Sequence, residues 1–274
     1  MSDPTVVGPG GGEVIGDAPD RRVEILSDPE EMHATWSRFG PRRDGADLHI
    51  HRDHTDIFYV LEGELTVRLG VEDESVVVPA GTLARVPPLV VHGFRNGSDA
   101  DVRYLNIHAP GVGFADYMRG LRGRRTVAFD QEPPPADGVR PATEAVVGGD
   151  GFQADLPGLR VTLLADVEAV AIAEAWGEPG GPSSPPHVHD RHVESFYVLE
   201  GELALTVGDR ELRAAAGSWV QVPAGVVHAV SAPEAVRVLN LHAPSCGFGA
   251  FLHALDDTGD EELAAGRADF DQHR

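Results

Sequence analysis

Hydrophobic residues occur along this chain in short runs that glycine or proline interrupts, as in FYVLEGELTVRLG (58–70) and SVVVPAGTLARVPP (75–88). The runs are rich in valine, leucine, phenylalanine and tyrosine, which favour strands. Many short strands at this spacing predict an antiparallel sandwich or barrel, jelly rolls included. One run, LTVGDREL (205–212), predicts a hairpin with Gly208 and Asp209 in its turn. A helical pattern follows the strands only in GFADYMRGLRG (113–123) and GFGAFLHALDD (247–257).

The same succession of strands and helix occurs twice. VRYLNIHAPGVGF (102–114) returns as VRVLNLHAPSCGF (236–248), and FDQ (129–131) returns at 270–272. A period near half the chain is too long for a solenoid and indicates two domains of one fold. We therefore predict four segments of the 274-residue chain: a flexible N-terminal tail (1–20), a first barrel (21–130), a linker rich in proline and glycine (131–156), and a second barrel with a C-terminal helix (157–274).

Composition narrows the classes of partner. The net charge is −22 and every one of the 22 basic residues is arginine, so the acidic surface repels phosphate backbones and predicts no nucleic-acid partner. No run of about 20 apolar residues is present, which predicts no membrane span. The N-terminus has no apolar core of a signal peptide, and the single cysteine, Cys246, cannot form an internal disulfide. Both observations favour a cytoplasmic protein.

Histidines precede one strand in each copy at a spacing that suits a metal. His49 and His51 alternate along a strand and therefore point the same way, and an acidic residue follows the second histidine by five positions. Three neutral imidazoles and one carboxylate suit a divalent transition metal such as Fe, Mn, Ni, Zn or Cu, with coordination positions left open for a ligand. The candidate ligands are His49, His51, Asp56 and His92 in the first copy and His187, His189, Glu194 and His228 in the second.

These residues resemble the two motifs of the cupin superfamily, in the bicupin arrangement. From its first histidine on, the family's first motif is matched as His49-x-His51-x4-Asp56-x6-Gly63 and as His187-x-His189-x4-Glu194-x6-Gly201. The second motif is matched as Gly81-x5-Pro87-x-Leu89-x2-His92 and as Gly217-x5-Pro223-x-Gly225-x2-His228. Asp56 stands where the family has glutamate, and Leu89 stands where it has a turn glycine. The resemblance covers roughly residues 22–115 and 158–250.

The resemblance implies an all-β chain of two tandem jelly-roll barrels (double-stranded β-helices), each followed by a short helix. It implies one divalent metal in each barrel and a small-molecule substrate. Among bicupins the chain is most similar to quercetinase-like flavonol dioxygenases, because gentisate-type sites lack the carboxylate. By this resemblance Glu194 is a metal ligand and also the catalytic base. The two barrels are expected to pair within one monomer, or the chain forms a homodimer.

Several alternatives stay open at this point. A non-oxidative metal enzyme (decarboxylase, isomerase or lyase) and a non-catalytic sensing module both fit the same motifs, since cupins carry many chemistries. The side chain of Asp56 is one methylene shorter than that of Glu194, so whether it ligates the metal stays open. The second barrel is therefore the better candidate for chemistry.

Other polar residues that recur in the two copies are assigned by their position in the predicted strands and loops. His54 and His192 lie in a loop and are predicted at the surface or an interface. His108 and His242 are predicted to form structural hydrogen bonds near a strand end, or to lie behind the ligands. Arg85 and Gln221 are candidates to face the cavity and bind a substrate's acid or carbonyl group.

Overall fold

The computed structural model describes residues 4–148, 151–181, 184–208 and 210–273. The chain divides into two compact units, residues 12–149 (hereafter the first barrel) and residues 1–11 with 150–274 (the second barrel). Each unit consists of antiparallel strands followed by one or two short helices, and the predicted fold class is confirmed. Among the helices that the structure describes, none is long and apolar enough to cross a membrane.

The first strand of the chain, β1 (Thr5–Val7), belongs to the second barrel. The elements of the first barrel are β2 Glu13–Ala18, β3 Arg21–Ser27, β4 His33–Phe39, β5 Thr55–Glu62, β6 Glu64–Leu69, β7 Glu74–Pro79, β8 Leu83–Val86, β9 His92–Arg95, β10 Val102–Ala109, α1 Phe114–Arg122, a 3-10 turn Ala142–Glu144 and β11 Val146–Gly148. They form a seven-stranded sheet in the order β11-β8-β5-β10-β4-β3-β2 and a three-stranded sheet in the order β7-β6-β9.

The second barrel repeats this plan. Its further elements are β12 Gln153–Leu156, β13 Leu159–Val167, β14 Val170–Gly177, β15 Ser184–His187, β16 Val193–Glu200, β17 Glu202–Val207, β18 Arg210–Ala215, β19 Trp219–Val222, β20 His228–Ser231, β21 Val236–Ala243, α2 Phe248–Thr258 and α3 Glu261–Ala268. The sheets run β1-β19-β16-β21-β14-β13-β12 and β15-β20-β17-β18. The predicted hairpin is β17 and β18, which pair from Val207 with Arg210 outward; Asp209 itself lies outside the described residues.

The segments assigned to a tail and a linker contain strands. Residues 5–7 form β1, which pairs antiparallel with β19, and residues 13–18 form β2, which pairs with β3. Within the predicted linker, residues 146–148 form β11 on the free edge of β8, and residues 153–156 form β12. An open sheet edge offers unpaired N–H and C=O groups to any nearby segment, so even glycine-rich sequence becomes a strand there. The open edge belongs to a strand that is distant in the sequence, so the residues of the added strand do not themselves predict the pairing.

The motif glycine after each carboxylate strand is required by close backbone contact. Gly63 has φ +74°, and a Cβ on it would lie 2.5 Å from the carbonyl oxygen of Asp101. Gly201 has φ +76°, and its Cβ would lie 2.1 Å from the carbonyl oxygen of Ala235. Both the left-handed conformation and the contact exclude a side chain. The glycine therefore lets the chain reverse between β5 and β6, and between β16 and β17.

The turn before the third histidine has left-handed backbone in both barrels, with glycine in only one. Leu89 has φ +70° and Gly225 has φ +75°. The N–H of each donates to the carbonyl of the second histidine of the pair, His51 or His189, at 2.7 Å. The turn thus anchors the His-x-His segment from behind, and the first barrel maintains it despite the unfavourable conformation of a leucine.

We expect Gly225→Ala to destabilise the second barrel by about 1 kcal/mol, because an L-residue is strained at this φ. No atom lies within 4 Å of the added methyl group, so a clash does not contribute. Gly266→Ala is the matched control: it also points into open space, within helix α3, and is expected to stabilise by about 0.5–1 kcal/mol. Urea denaturation measures both, and a Gly225→Ala variant as stable as the parent protein would contradict the strain argument.

Candidate metal centres

The four predicted ligands of the first barrel meet in one buried cluster. His49 and His92 form an antiparallel bridge between two strand segments, and Asp56 is the second residue of β5. His51 lies between His49 and Asp56 in the sequence. Their donor atoms all lie within 4.8 Å of one another. The Nε2 atoms of His49 and His51 are 3.1 Å apart, and Nε2 of His92 is 3.3 Å from Oδ2 of Asp56. One ion at the centre of this cluster would be within reach of all four side chains.

The second barrel brings its four predicted ligands together in the same way. His187 ends β15 opposite His228, which begins β20, and Glu194 is the second residue of β16. Oε2 of Glu194 lies 2.6 Å from Nε2 of His228, 3.2 Å from that of His189 and 3.8 Å from that of His187. All four side chains are buried.

Each of the six histidines is oriented by a backbone carbonyl. In the first barrel, the Nδ1 atoms of His49, His51 and His92 donate to the carbonyls of Asp47, Asp130 and Val90. In the second, those of His187, His189 and His228 donate to the carbonyls of Pro185, Asp271 and Val226. A bond from Nδ1–H leaves the Nε2 lone pair free to point into the cluster, which is the arrangement of metal-binding imidazoles. The donor set therefore fits a divalent transition metal.

The charges in the clusters also suit a cation. Although burial opposes ionisation of Glu194, its contacts with His187, His189 and His228 hold the pKa of its carboxyl well below its usual range. The pKa of Asp56 is likewise well below its usual range, because charge and hydrogen bonding from neighbouring histidines outweigh its burial. Burial, and then its proximity to His92, lowers the pKa of His49 to about 3. In the first barrel an ionised carboxylate thus lies beside the neutral imidazole of His49, which is the protonation state that binds metal. In the second barrel, the contact with Glu194 outweighs burial and raises the pKa of His228, so a metal would displace a proton there.

The shorter side chain of Asp56 does not remove it from its cluster. Its Oδ2 lies 3.3 Å and 3.8 Å from the Nε2 atoms of His92 and His51. Its Oδ1 accepts from the amide of Asn106, just as Oε1 of Glu194 accepts from Asn240 at 2.8 Å. The geometry thus gives Asp56 the position that Glu194 has in the second barrel.

Two histidines that the sequence analysis assigned to the surface are buried. His54 and His192 are each 1% exposed, so that expectation is wrong. Nε2 of His54 lies 2.9 Å from Nδ1 of His108, and Nδ1 of His54 lies 2.8 Å from the carboxylate of Asp130. The second barrel repeats both contacts with His192, His242 and Asp271, at 2.9 Å and 3.1 Å. His108 and His242 form these hydrogen bonds near the ends of their strands, and both residues lie behind the ligands.

These contacts form a circuit of side chains behind each cluster. In the second barrel Nε2 of His189 lies 3.2 Å from Oε2 of Glu194 and closes it, whereas the atoms of His51 and Asp56 are 3.8 Å apart in the first. His108 Nε2 lies 3.1 Å from Oδ1 of Asn106, whose amide holds Asp56, while the backbone carbonyl of Asp130 holds His51. One residue, Asp130, therefore supports both a histidine and, through three intermediates, the carboxylate. The first circuit is His51, Asp56, Asn106, His108, His54 and Asp130; the second is His189, Glu194, Asn240, His242, His192 and Asp271.

When its imidazoles are neutral, the first circuit has one N–H fewer than its hydrogen-bond contacts require. Burial lowers the pKa of His54 to about 4 and that of His108 well below its ordinary value, so each imidazole carries one N–H at neutral pH. Asn106 donates to Asp56 and accepts from His108. The single N–H of His54 then serves two contacts, one with His108 and one with Asp130.

Asp130 and Asp271 were not identified as site residues, although the recurrence of FDQ marked them. Their carboxylates accept backbone N–H groups at the start of the histidine loop: Asp130 from Arg52 at 2.8 Å, and Asp271 from Arg191 at 2.6 Å. The preceding Phe129 packs against the imidazole of His54, with centroids 5.4 Å apart. The segment that follows the helix or helices of each barrel thus packs against the histidines and supports the ligands.

A cavity adjoins each cluster, and the two differ in character. The first, of about 220 Å³, is lined by His49, His51 and Asp56 and by several other polar groups. The second, of about 170 Å³, is lined by His187 and Glu194 with mostly aliphatic and aromatic side chains. In the sheets, Arg85 pairs with Ile57 and Gln221 pairs with Ser195. Ile57 and Ser195 directly follow Asp56 and Glu194, and successive residues of a strand face opposite sides of the sheet. Arg85 and Gln221 therefore face away from the two carboxylates.

Comparison with known proteins gives one family and several distant relatives. The family model described as a cupin domain matches residues 35–108 and 178–242, together just over half of the chain. Quercetin 2,3-dioxygenase of Bacillus subtilis (strain 168) is 24% identical in an alignment of 225 positions that covers 69% of this chain and 66%, just under two thirds, of that protein.

Two solved structures show the same fold. Oxalate decarboxylase of Lactobacillus farciminis superposes with a TM-score of 0.62 at 13% identity, over 96% of both chains. Salicylate 1,2-dioxygenase of Pseudoaminobacter salicylatoxidans superposes with a TM-score of 0.61 at 16% identity, over 88% of this chain and 81% of that one. At these identities the likeness concerns the fold alone.

Proposed function

The chain belongs to the cupin family, and on that basis we propose that it is a metal-dependent oxidoreductase of the dioxygenase type that acts on a small organic substrate. Each barrel would hold one divalent transition metal through three histidines and a carboxylate, the two sets described above. The bound metal would supply open coordination positions that polarise a substrate oxygen and bring dioxygen alongside it.

The observation that carries this proposal is the second cavity. Phe196, Val238, Phe248 and Leu252 line it beside His187 and Glu194, so the candidate ligands face a mostly apolar chamber. Such a chamber excludes water and selects an uncharged, ring-containing molecule, with the few polar groups fixing its orientation. An enediol of about one ring, which is apolar apart from its hydroxyl and carbonyl oxygens, suits both surfaces and the volume of about 170 Å³, whereas a three-ring flavonol would need a wider cavity.

We assign Glu194 as the group that accepts a proton from a substrate hydroxyl. Asn240 holds its Oε1, which fixes the carboxylate plane and leaves Oε2 turned toward the cluster. The carboxylate is ionised, because its pKa is well below its usual range despite its burial. An ionised and oriented carboxylate next to a cavity can accept the proton of a hydroxyl whose own pKa a bound metal would lower.

The relatives support the proposal at the level of chemistry. The Bacillus subtilis relative is a quercetin 2,3-dioxygenase, and it aligns over most of this chain. The solved structures include a dioxygenase and a decarboxylase, so the fold also accommodates a non-oxidative reaction. A monomer with paired barrels or a homodimer, and a cytoplasmic location, stay predictions of the sequence.

Oxygen consumption tests the proposal. Protein reconstituted separately with Fe, Mn, Ni, Cu or Zn is mixed with quercetin and with simpler enediols in an oxygen electrode, and substrate loss is followed by absorbance. We expect at least one metal to give oxygen uptake that matches substrate loss. Glu194→Gln, which has nearly the same shape but cannot accept the proton, is expected to reduce the rate by about 100-fold or more.

The other outcomes contradict the proposal in distinct ways. Substrate loss under argon at the aerobic rate would indicate a non-oxidative enzyme. Neither oxygen uptake nor substrate loss with any metal, together with a small molecule that stays bound through purification, would indicate a sensing or storage module.

A further inference from the structure

The cavity of the first barrel contains polar side chains at positions where the second barrel is apolar. Within the sheets, Arg21 pairs with Phe39 and Ser37 pairs with Tyr104. At the same register positions of the second barrel, where Leu159 pairs with Gly177 and Ala175 pairs with Val238, three of these residues have apolar counterparts. Leu159 stands in place of Arg21, Ala175 in place of Ser37, and Val238 in place of Tyr104. A fourth polar residue, Thr35, corresponds in the same way to Ala173. All four polar residues line the first cavity, and all four counterparts line the second.

Arg21 is the one cation among the residues that line the first cavity, and it forms no ion pair with a described residue, although Asp56 lines the same cavity. Its Nε atom is buried and has no hydrogen-bond partner within the described part of the chain. Its guanidinium carbon lies 5.4 Å from the centroid of Phe39, so an apolar ring covers one face. A half-buried guanidinium with an unused donor costs free energy, and an anion that accepts from it would remove that cost.

The groups around Arg21 suit a carboxylate. Tyr104 and Ser37 are 1% and 3% exposed, and both line the same cavity as Arg21. A planar guanidinium binds a carboxylate through two parallel N–H···O bonds, and a hydroxyl can add a third donor. The second cavity offers none of these donors at the matching positions, and Glu261 on its wall adds a negative charge.

We propose that the first barrel is a binding site for a small organic carboxylate, held by Arg21 with Tyr104 and Ser37, while the second barrel takes an uncharged ligand. The first cavity, about 220 Å³, is smaller than the 300–1,000 Å³ of typical ligand pockets, so a molecule of about one ring fits it. Aromatic side chains, among them Phe94 and Phe129, form its other walls. The same molecule would have its far end toward His49 and Asp56. The two barrels thus differ in ligand class, and this inference does not depend on the reaction proposed for the second barrel.

Calorimetric titration of the metal-loaded protein with benzoate, and with the uncharged isostere benzamide, tests the proposal. We expect benzoate to bind at one site per chain and benzamide to bind at least about 10-fold more weakly, because it lacks the charge. Arg21→Leu, which installs the residue of the second barrel, is expected to weaken benzoate binding by about 10- to 100-fold. Arg21→Lys keeps the charge without the planar fork and is expected to bind with intermediate affinity.

Arg160→Leu is the matched control. It removes the same charge from an exposed arginine paired with Asp155, and it is expected to leave benzoate binding unchanged within about 2-fold. Circular dichroism verifies that each variant is folded; if Arg21→Leu is not, Arg21→Gln takes its place. Equal binding of benzoate and benzamide, benzoate binding that survives the loss of Arg21, or no benzoate binding at millimolar concentration would each overturn the proposal. None of these results bears on oxygen uptake by the second barrel.

Discussion

Glu194→Ala is expected to empty the second barrel of metal and to leave the first barrel loaded. The carboxylate is the one anionic member of its cluster, and it contacts the Nε2 atoms of all three histidines. Without it, three neutral imidazoles would have to hold the ion alone, and the amide of Asn240 would lose its acceptor in a partly buried position. We expect the affinity to fall by more than the roughly 10- to 100-fold that the loss of an outer partner costs.

Metal analysis after dialysis against a graded series of chelators measures this effect. The metal content per chain is expected to fall by half in Glu194→Ala, by half in Asp56→Ala, and to nothing in the double variant. Glu202→Ala, which removes an exposed carboxylate paired with Arg213, is the control and should retain all of the metal. Unchanged metal in Asp56→Ala would show that the first barrel binds through its histidines alone. Unchanged metal in Glu194→Ala would refute the ligand set.

Asp271→Ala is expected to destabilise the second barrel by about 3–5 kcal/mol, the cost of removing one partner from a buried charged network. Asp271 is 1% exposed, and its carboxylate accepts from the backbone N–H of Arg191 and lies 3.1 Å from Nδ1 of His192. Both groups would lose that acceptor, and His192 would lose it in a buried position. His192 contacts His242, which contacts Asn240, so the support of Glu194 would loosen as well. We expect the metal affinity of that barrel to fall by about 10- to 100-fold.

Thermal denaturation with and without metal separates the two parts of this expectation. Asp130→Ala, the equivalent change in the first barrel, should affect the unfolding of that barrel alone. Asp256→Ala changes an exposed aspartate on α2 and is expected to alter stability by less than about 0.5 kcal/mol. A variant that is destabilised but binds metal as tightly as the parent protein would limit the role of the circuit to folding. A variant with parental stability would refute the argument altogether.

The sequence by itself was sufficient for the fold class and for the ligand clusters. Alternation along a strand places His49 and His51 on one face, and Asp56 follows closely enough for a local turn to bring it to them. His92 lies 36 positions after Asp56, and it was included because the chain resembles the second motif of the family. The structure brings all four together within 4.8 Å. Gly63 and Gly201 could also be interpreted from the sequence, because a left-handed turn leaves a residue type as its signature.

Tertiary structure alone decided which polar residues support the clusters and which face the cavities. His54 and Asp130 are 76 positions apart, and no local period connects them, so a histidine in a loop was assigned to the surface. The strands β1 and β11 exist because the edges of β19 and β8 were open to them. Arg21 and Leu159 are unremarkable in the linear sequence, and only the register of their sheets places them at equivalent points of two cavities. Local chemistry encodes turns, strand faces and closely spaced ligands, whereas hydrogen bonds and charges between distant segments depend on a packing that the sequence specifies only as a whole.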